Sequence, residues 1–147
     1  MYYVNRDQIE RILQVIPDIT EGLRQAAASW DGGIIWGLVQ ERCLHLAIEV
    51  VTDTGSCLID GFIMRDAGSY EDIVTIIHEE SVFTDKELYG RLLELVSLRR
   101  PLVQDYCNWN REALHPLTPL LPELLTAFAE ETRAYLNREL GAVQPVR

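Results

Sequence analysis

The chain has 147 residues, the length of one ordinary domain, and 48% of them are hydrophobic; that is enough for a core without staples and excludes a disordered chain. Its formal net charge is -10, from 13 Lys and Arg against 23 Asp and Glu. Such a surface repels nucleic acid at long range, so any RNA binding has to come from a local basic patch. No apolar run approaches the ~18 residues of a membrane span, and the opening MYYVNRDQIE lacks the apolar segment of a signal peptide. Cys43, Cys57 and Cys107 are odd in number, widely spaced and without a C-x-x-C pair. They favour reduced thiols in a cytoplasmic protein.

The periodicity is helical nearly throughout. Ile9, Ile12, Leu13, Ile16, Leu23 and Ala27 form one stripe, which predicts a first helix over about residues 6–28, kinked at Pro17. WDGG at 30–33 reads as a turn. A second helix is predicted from about Ile34 to Ile63, with Leu38, Leu44, Ala47, Val51, Leu58 and Ile59 as its apolar contacts and Gly55 as a point of loosening. Ser69 and Asp72 make a capping-box pair that opens a short third helix to about Glu80. Thr84 and Glu87 make another, starting a fourth helix that carries Leu88, Leu92, Leu95, Leu102 and Tyr106 along one side. Pro119, behind Thr118 as cap, suits the start of a fifth helix using Leu121, Leu125, Phe128, Tyr135 and Leu136. It ends near Leu140, with Gly141 as terminator. The expectation is an all-α, antiparallel four- or five-helix bundle in one domain, residues 1–140, followed by a frayed tail at 141–147.

Two polar constellations stand out. Glu41, His45, Glu49 and Asp53 recur every four residues on the second helix. Each step advances about 400°, so they form a slowly drifting stripe. A stripe of this kind could hold a metal, as helix-borne ligands do in carboxylate bundles. It also reads as a solvated face or a polar strip at a subunit interface. The Glu-x-x-His partner that a second helix would supply is missing. His78 reads as exposed and His115 as a loop residue. The other constellation is SLRRPLVQDYCNW at 97–109, where a proline sits inside a helical pattern. On a regular helix Arg99 and Tyr106 would lie within about 20° of each other, and Arg100 would neighbour Gln104. A kink at Pro101 frees the carbonyl of Ser97 and suits a helix that presents side chains to a cleft. The plainer reading is a kink with two surface arginines paired to Glu94 and Asp105.

SLRRPLVQDY resembles the signature of the HEPN superfamily, in its HepT-like branch: an arginine, four residues, a histidine, one residue, a tyrosine. Arg99 falls on the arginine, Gln104 on the histidine and Tyr106 on the tyrosine. ERCLHLAIEVVTDTGSCLID resembles the branch's long second helix, and SYEDIVTIIHEESVF its third helix and link. The likeness spans about residues 5–140. It implies a HEPN-type bundle that homodimerises with its arginine-bearing helices around a shared cleft. It also implies the toxin of a toxin–antitoxin pair, acting as a metal-independent RNase without a cofactor. The partner it implies is a nucleotidyltransferase antitoxin that adds AMP to the motif tyrosine, here Tyr106. No membrane is implied.

The departure is Gln104. Cleavage of RNA without metal removes a proton from the 2′-OH and delivers one to the leaving 5′-oxygen. Histidine can do either; glutamine can only hydrogen-bond. Arg99 and Arg100 can still hold phosphate, and Asp105 is an adjacent candidate base. The residues therefore leave two readings beside the metal-binding bundle. One is an RNase toxin using Arg99, Arg100, Gln104, Asp105 and Tyr106. The other is a non-catalytic dimeric module that binds RNA or a nucleotide, or docks the nucleotidyltransferase.

Overall fold

The protein is described by a computed structural model that covers residues 2–141. It is all-helical and forms one domain, with no strand among the described residues. The order is α1 (Arg6–Leu13), α2 (Ile16–Ser29), α3 (Ile34–Gly61), α4 (Tyr70–Glu79), α5 (Lys86–Ser97) and α6 (Leu121–Leu140). Between α5 and α6 lie a π-helical turn, Arg100–Gln104, and a 3-10 turn, Tyr106–Asn108. The predicted tail is described only at Gly141; its remainder, 142–147, falls outside the described residues.

The predicted first helix is two. Asn5 caps α1 by accepting from the Gln8 amide at 3.0 Å. The chain breaks after Leu13, and Pro17 occupies the first turn of α2. A proline costs nothing there, because that N–H has no helical acceptor anyway. Ile9, Leu13, Ile16 and Leu23 are buried as the stripe predicts, and Ile19 and Ala26 join them.

α3 is the spine, about 42 Å long at 1.5 Å per residue. It packs against α1, α2, α4 and α5, while α6 closes the bundle against α2 and α5. Gly55 does not loosen it. A Cβ there would overlap the Ile73 side chain of α4, so the glycine lets the two helices approach closely. Ile63, just past the end of α3, has φ 56°. The Met64 amide closes the turn onto the Ile59 carbonyl at 2.9 Å, in the manner of a glycine C-cap.

Ser69 caps α4 as predicted, accepting from the Asp72 amide at 3.0 Å. The cap of α5 is Asp85, not Thr84; its carboxylate accepts from the amides of Glu87 and Leu88. α6 starts two residues later than predicted, with Pro122 in its first turn. Thr118 is therefore no cap. It is fully buried, and its hydroxyl donates to Gln40 Oε1 at 2.6 Å. Gly141 ends α6 at φ 83°. Leu121, Leu125, Phe128, Tyr135 and Leu136 are all buried.

Candidate functional site

Proline decides the geometry after α5. Pro101 has no N–H to donate to the Ser97 carbonyl, and the α-helix ends at Ser97. The next turn widens: the Asp105 amide donates to the Arg100 carbonyl at 2.8 Å, five residues back. Turns of this width recur at functional positions in helices. The register of a regular helix is lost here. Leu102 is buried on the bundle side, whereas Tyr106, expected on the same side, is 59% exposed.

The widened turn and α3 together form a cleft of about 340 Å³. Leu102, Val103 and Tyr106 line it from one side, and Leu38, Glu41, Arg42 and His45 from the other. Leu38 belongs to this cleft and not to the core; it is 49% exposed. Glu41 is held by a two-pronged pair with the Arg111 guanidinium, through Nε to Oε2 and through Nη2 to Oε1. Lower on the same face, Glu49 Oε1 lies 3.5 Å from His45 Nε2. Asp53 continues the stripe, its carboxyl raised above the usual range by burial and by the nearby Glu49 charge. The four groups do not converge: no trio of His, Cys, Asp or Glu among the described residues stands close enough to hold a metal ion.

Besides the Arg111–Glu41 pair, one buried amide on α3 holds the segment behind the cleft. Gln40 is fully buried. Its Oε1 accepts from the His115 amide at 2.8 Å as well as from Thr118, and its Nε2 donates to the Ala113 carbonyl at 3.1 Å. Gly37, one turn earlier, lies so close to the segment that a Cβ would sit 2.7 Å from the Arg111 carbonyl oxygen. Trp30 Nε1 donates to the Glu112 carbonyl at 3.1 Å. His115 Nδ1 accepts from the Leu117 amide at 3.0 Å, and burial holds this imidazole's pKa below its usual value.

The motif residues divide between two surroundings. Tyr106 borders the cleft. Arg99 faces the other way, its guanidinium carbon 4.2 Å from the centre of the Tyr70 ring. Its Nε is buried and has no hydrogen-bond partner. Arg100, Gln104 and Asp105 are exposed and do not line the cleft. The expected pairing with Glu94 is absent: Glu94 pairs with Arg91 at 3.4 Å. His78 is not simply exposed, since its ring stacks on Tyr89 at 4.2 Å and its Nδ1 meets the Phe83 carbonyl at 3.0 Å.

Sequence reading missed Arg42, Gln40 and Arg111. Gln40 and Arg111 are some 70 residues apart in the chain yet act on one segment. No periodicity links them. Arg42 sits on the same stretch of α3 as the polar stripe but out of its four-residue step.

Comparison with known proteins decides the family. The profile of the family described as ribonuclease HepT-like matches residues 9–125. The chain belongs to the HepT-like ribonuclease family. It is 39% identical over 143 residues to YutE of Bacillus subtilis (strain 168), a protein whose name marks it as a candidate RNase; the match covers 97% of both chains. The solved structure of YutE, described as a cytosolic protein of unknown function, superposes with a TM-score of 0.85 at 38% identity. That match covers 98% of this chain and 99% of the other. The HepT-like assignment agrees with the resemblance carried by Arg99, Tyr106 and the two upstream segments. No helix among the described residues is long and apolar enough to cross a membrane.

Proposed function

We propose that this HepT-like chain is the endoribonuclease toxin of a toxin–antitoxin pair and cleaves RNA without a metal ion. The observation that carries the reading is the stretch around Pro101. It retains the family's arginine and tyrosine as Arg99 and Tyr106, and Tyr106 lines a cleft shared with Glu41, Arg42 and His45. The Nε of Arg99 is buried, so its outer nitrogens are the ones an anion can meet, and Arg100 is exposed beside it. Both suit a phosphate, whose oxygens match the planar guanidinium fork. This reading assigns Gln104 and Asp105, both exposed on the same stretch, to hydrogen bonds with a ribose. The test is incubation of the purified protein with total RNA and tRNA in EDTA, beside Arg99→Ala. Cleavage by the parent that is lost in the variant is expected; equal cleavage by both sinks the reading.

The working unit is a homodimer in this proposal. Ile34 and Ile35 are 59% and 67% exposed, and they continue the apolar surface of Leu38 beside the cleft. A second copy is the occupant that would cover this strip and bring its arginines toward the same cleft. Sedimentation should give twice the chain mass, and Ile35→Asp should give the single mass. Tyr106 is exposed enough for a nucleotidyltransferase antitoxin to reach, and its hydroxyl is the proposed AMP acceptor. With such an enzyme and ATP, the parent should gain the mass of one AMP and Tyr106→Phe none.

Gln104 favours a second reading, a module that binds RNA or a nucleotide without cutting it, or docks the nucleotidyltransferase. It occupies the motif's histidine position, and its amide cannot titrate. A parent that binds but does not cleave, with cleavage appearing in Gln104→His, would establish that reading over the first.

A further inference from the structure

We infer that His45 supplies the proton-transfer group that the Gln104 position lacks, acting from α3 across the cleft from Tyr106. The inference deepens the RNase reading and rests on it. Three observations carry it. His45 lines the same cleft as Tyr106, whereas Gln104 and Asp105 do not. His45 is about a third exposed, so a ribose can reach it. And Glu49 Oε1 lies 3.5 Å from its Nε2. A carboxylate there favours the tautomer with the proton on Nε2, leaving the lone pair on Nδ1. Catalytic histidines elsewhere are oriented by a carboxylate on Nδ1 with Nε2 as base; here the carboxylate lies by Nε2 and the roles of the two nitrogens are exchanged.

The charges around the imidazole fit the task. Glu41, Arg42 and Glu49 come from its own helix and Tyr106 from the facing turn. Glu41 is neutralised by Arg111, which reaches over from the anchored segment. Arg42 therefore is the cation left to meet a phosphate at the His45 end of the cleft. In the step proposed, the imidazole takes the proton of the 2′-OH and the 2′-oxygen attacks phosphorus. The P–O5′ bond breaks, the 5′-oxygen takes a proton from solvent, and the imidazolium returns its proton to solvent. The products are a 2′,3′-cyclic phosphate and a 5′-hydroxyl, with no water consumed and no change of oxidation state.

The test compares the parent, Arg99→Ala and His45→Ala on tRNA in EDTA across a range of pH, with helicity checked by circular dichroism. A positioned general base typically contributes about 10²–10⁴-fold, so His45→Ala should cleave at least ~100-fold more slowly. It should also lose the acid limb of the parent's pH–rate profile and regain rate with added imidazole. A merely structural role would give a slower variant with an unchanged profile and no rescue, and would overturn the inference. So would a His45→Ala that cleaves like the parent while Arg99→Ala does not, which leaves the RNase reading standing. A parent inert at every pH overturns the RNase reading, and the inference with it.

Discussion

The guanidinium of Arg99 stacks over the Tyr70 ring, joining the end of α5 to the first residue of α4. A cation over an aromatic face gains about 0.5–1 kcal/mol when exposed. It also fixes where the remaining N–H groups point. Tyr70 is thus a positioning residue for the arginine that the proposal sets on phosphate. Tyr70→Leu should lower RNA cleavage by about 2–5-fold, by the loss of one such contact. Tyr70→Phe, which keeps the ring, should cleave like the parent. A Tyr70→Leu rate equal to the parent's would show that the stack holds nothing the reaction uses.

Much of this fold is legible in the sequence, because burial at helical spacing is what folds it. The stripes through α1, α2, α5 and α6 pick out buried residues, and Ser69 is read as the cap it is. The errors are physical. Thr84 and Asp85 are adjacent, and either oxygen can cap; the backbone at Asp85 lets its carboxylate take two amides. Pro119 and Pro122 both suit a first helical turn, and burial of Thr118 against Gln40 selects the later start. Within the site, the spacing of Arg99 and Tyr106 identifies the motif, but not where the side chains go. Their angle on a regular helix does not survive the wide turn that Pro101 creates. The cleft's far wall is legible only as a stripe of uncertain use, because its meaning depends on which segment packs against it.

Gln40 is the largest concentration of polar bonding in the core. Three partners in the segment 113–118 depend on it. Gln40→Leu keeps the volume but strands a buried amide, a carbonyl and a hydroxyl. Each stranded group costs about 1–3 kcal/mol unless water reaches it, so with water reaching the hydroxyl and the two backbone groups left stranded a loss of about 2–3 kcal/mol is the lower bound expected. For a chain of this size that corresponds to roughly 5–10 °C in Tm. A Gln40→Leu protein that melts with the parent would mean the segment is held by Arg111 and Trp30 alone.

His115 should make the protein acid-sensitive. Burial depresses its pKa in the folded state, so below the ordinary histidine value of about 6.5 the unfolded chain binds a proton that the folded chain resists. Its contribution is full above that pH and is lost as pH falls, levelling off below the depressed folded value. The hydrogen bond agrees in sign: Nδ1 accepts from the Leu117 amide only while unprotonated. Tm should therefore fall between about pH 7.5 and 5.5, and less so in His115→Gln. Parallel curves for the two proteins would assign the acid sensitivity to other groups.

Ile63 holds a left-handed conformation that a β-branched side chain resists. It is 71% exposed, so its side chain does little in the core. Ile63→Gly removes a steric cost of about 1–2 kcal/mol and adds unfolded-chain entropy of about 0.4–1 kcal/mol. The expected net is a gain of somewhat under ~1 kcal/mol, read as a Tm higher by about 2 °C. A lower Tm would mean that the Ile63 side chain contributes more than its exposure suggests.

Pro101 separates stability from function. Pro101→Ala restores an N–H that can donate to the Ser97 carbonyl, and alanine is the residue best suited to continue α5. The helix should then run on through Gln104 with ordinary spacing, and the wide turn closed by Asp105 and Arg100 should disappear. Helical spacing would then turn Tyr106 toward the side of Leu102 and take it from its present place in the cleft wall facing His45. The regained hydrogen bond contributes about 0.5–1.5 kcal/mol against about 0.4–1 kcal/mol of added unfolded-chain entropy, so the variant should be as stable as the parent or up to ~1 kcal/mol more stable. Its RNA cleavage should nevertheless fall by about 10-fold or more, the usual scale for a misplaced reacting group. Thermal melts and the tRNA assay, run on the same preparation, check both halves. If Pro101→Ala is more stable and equally active, the proline is only a helix terminator, and the position of Tyr106 is set by the segment anchored at Gln40.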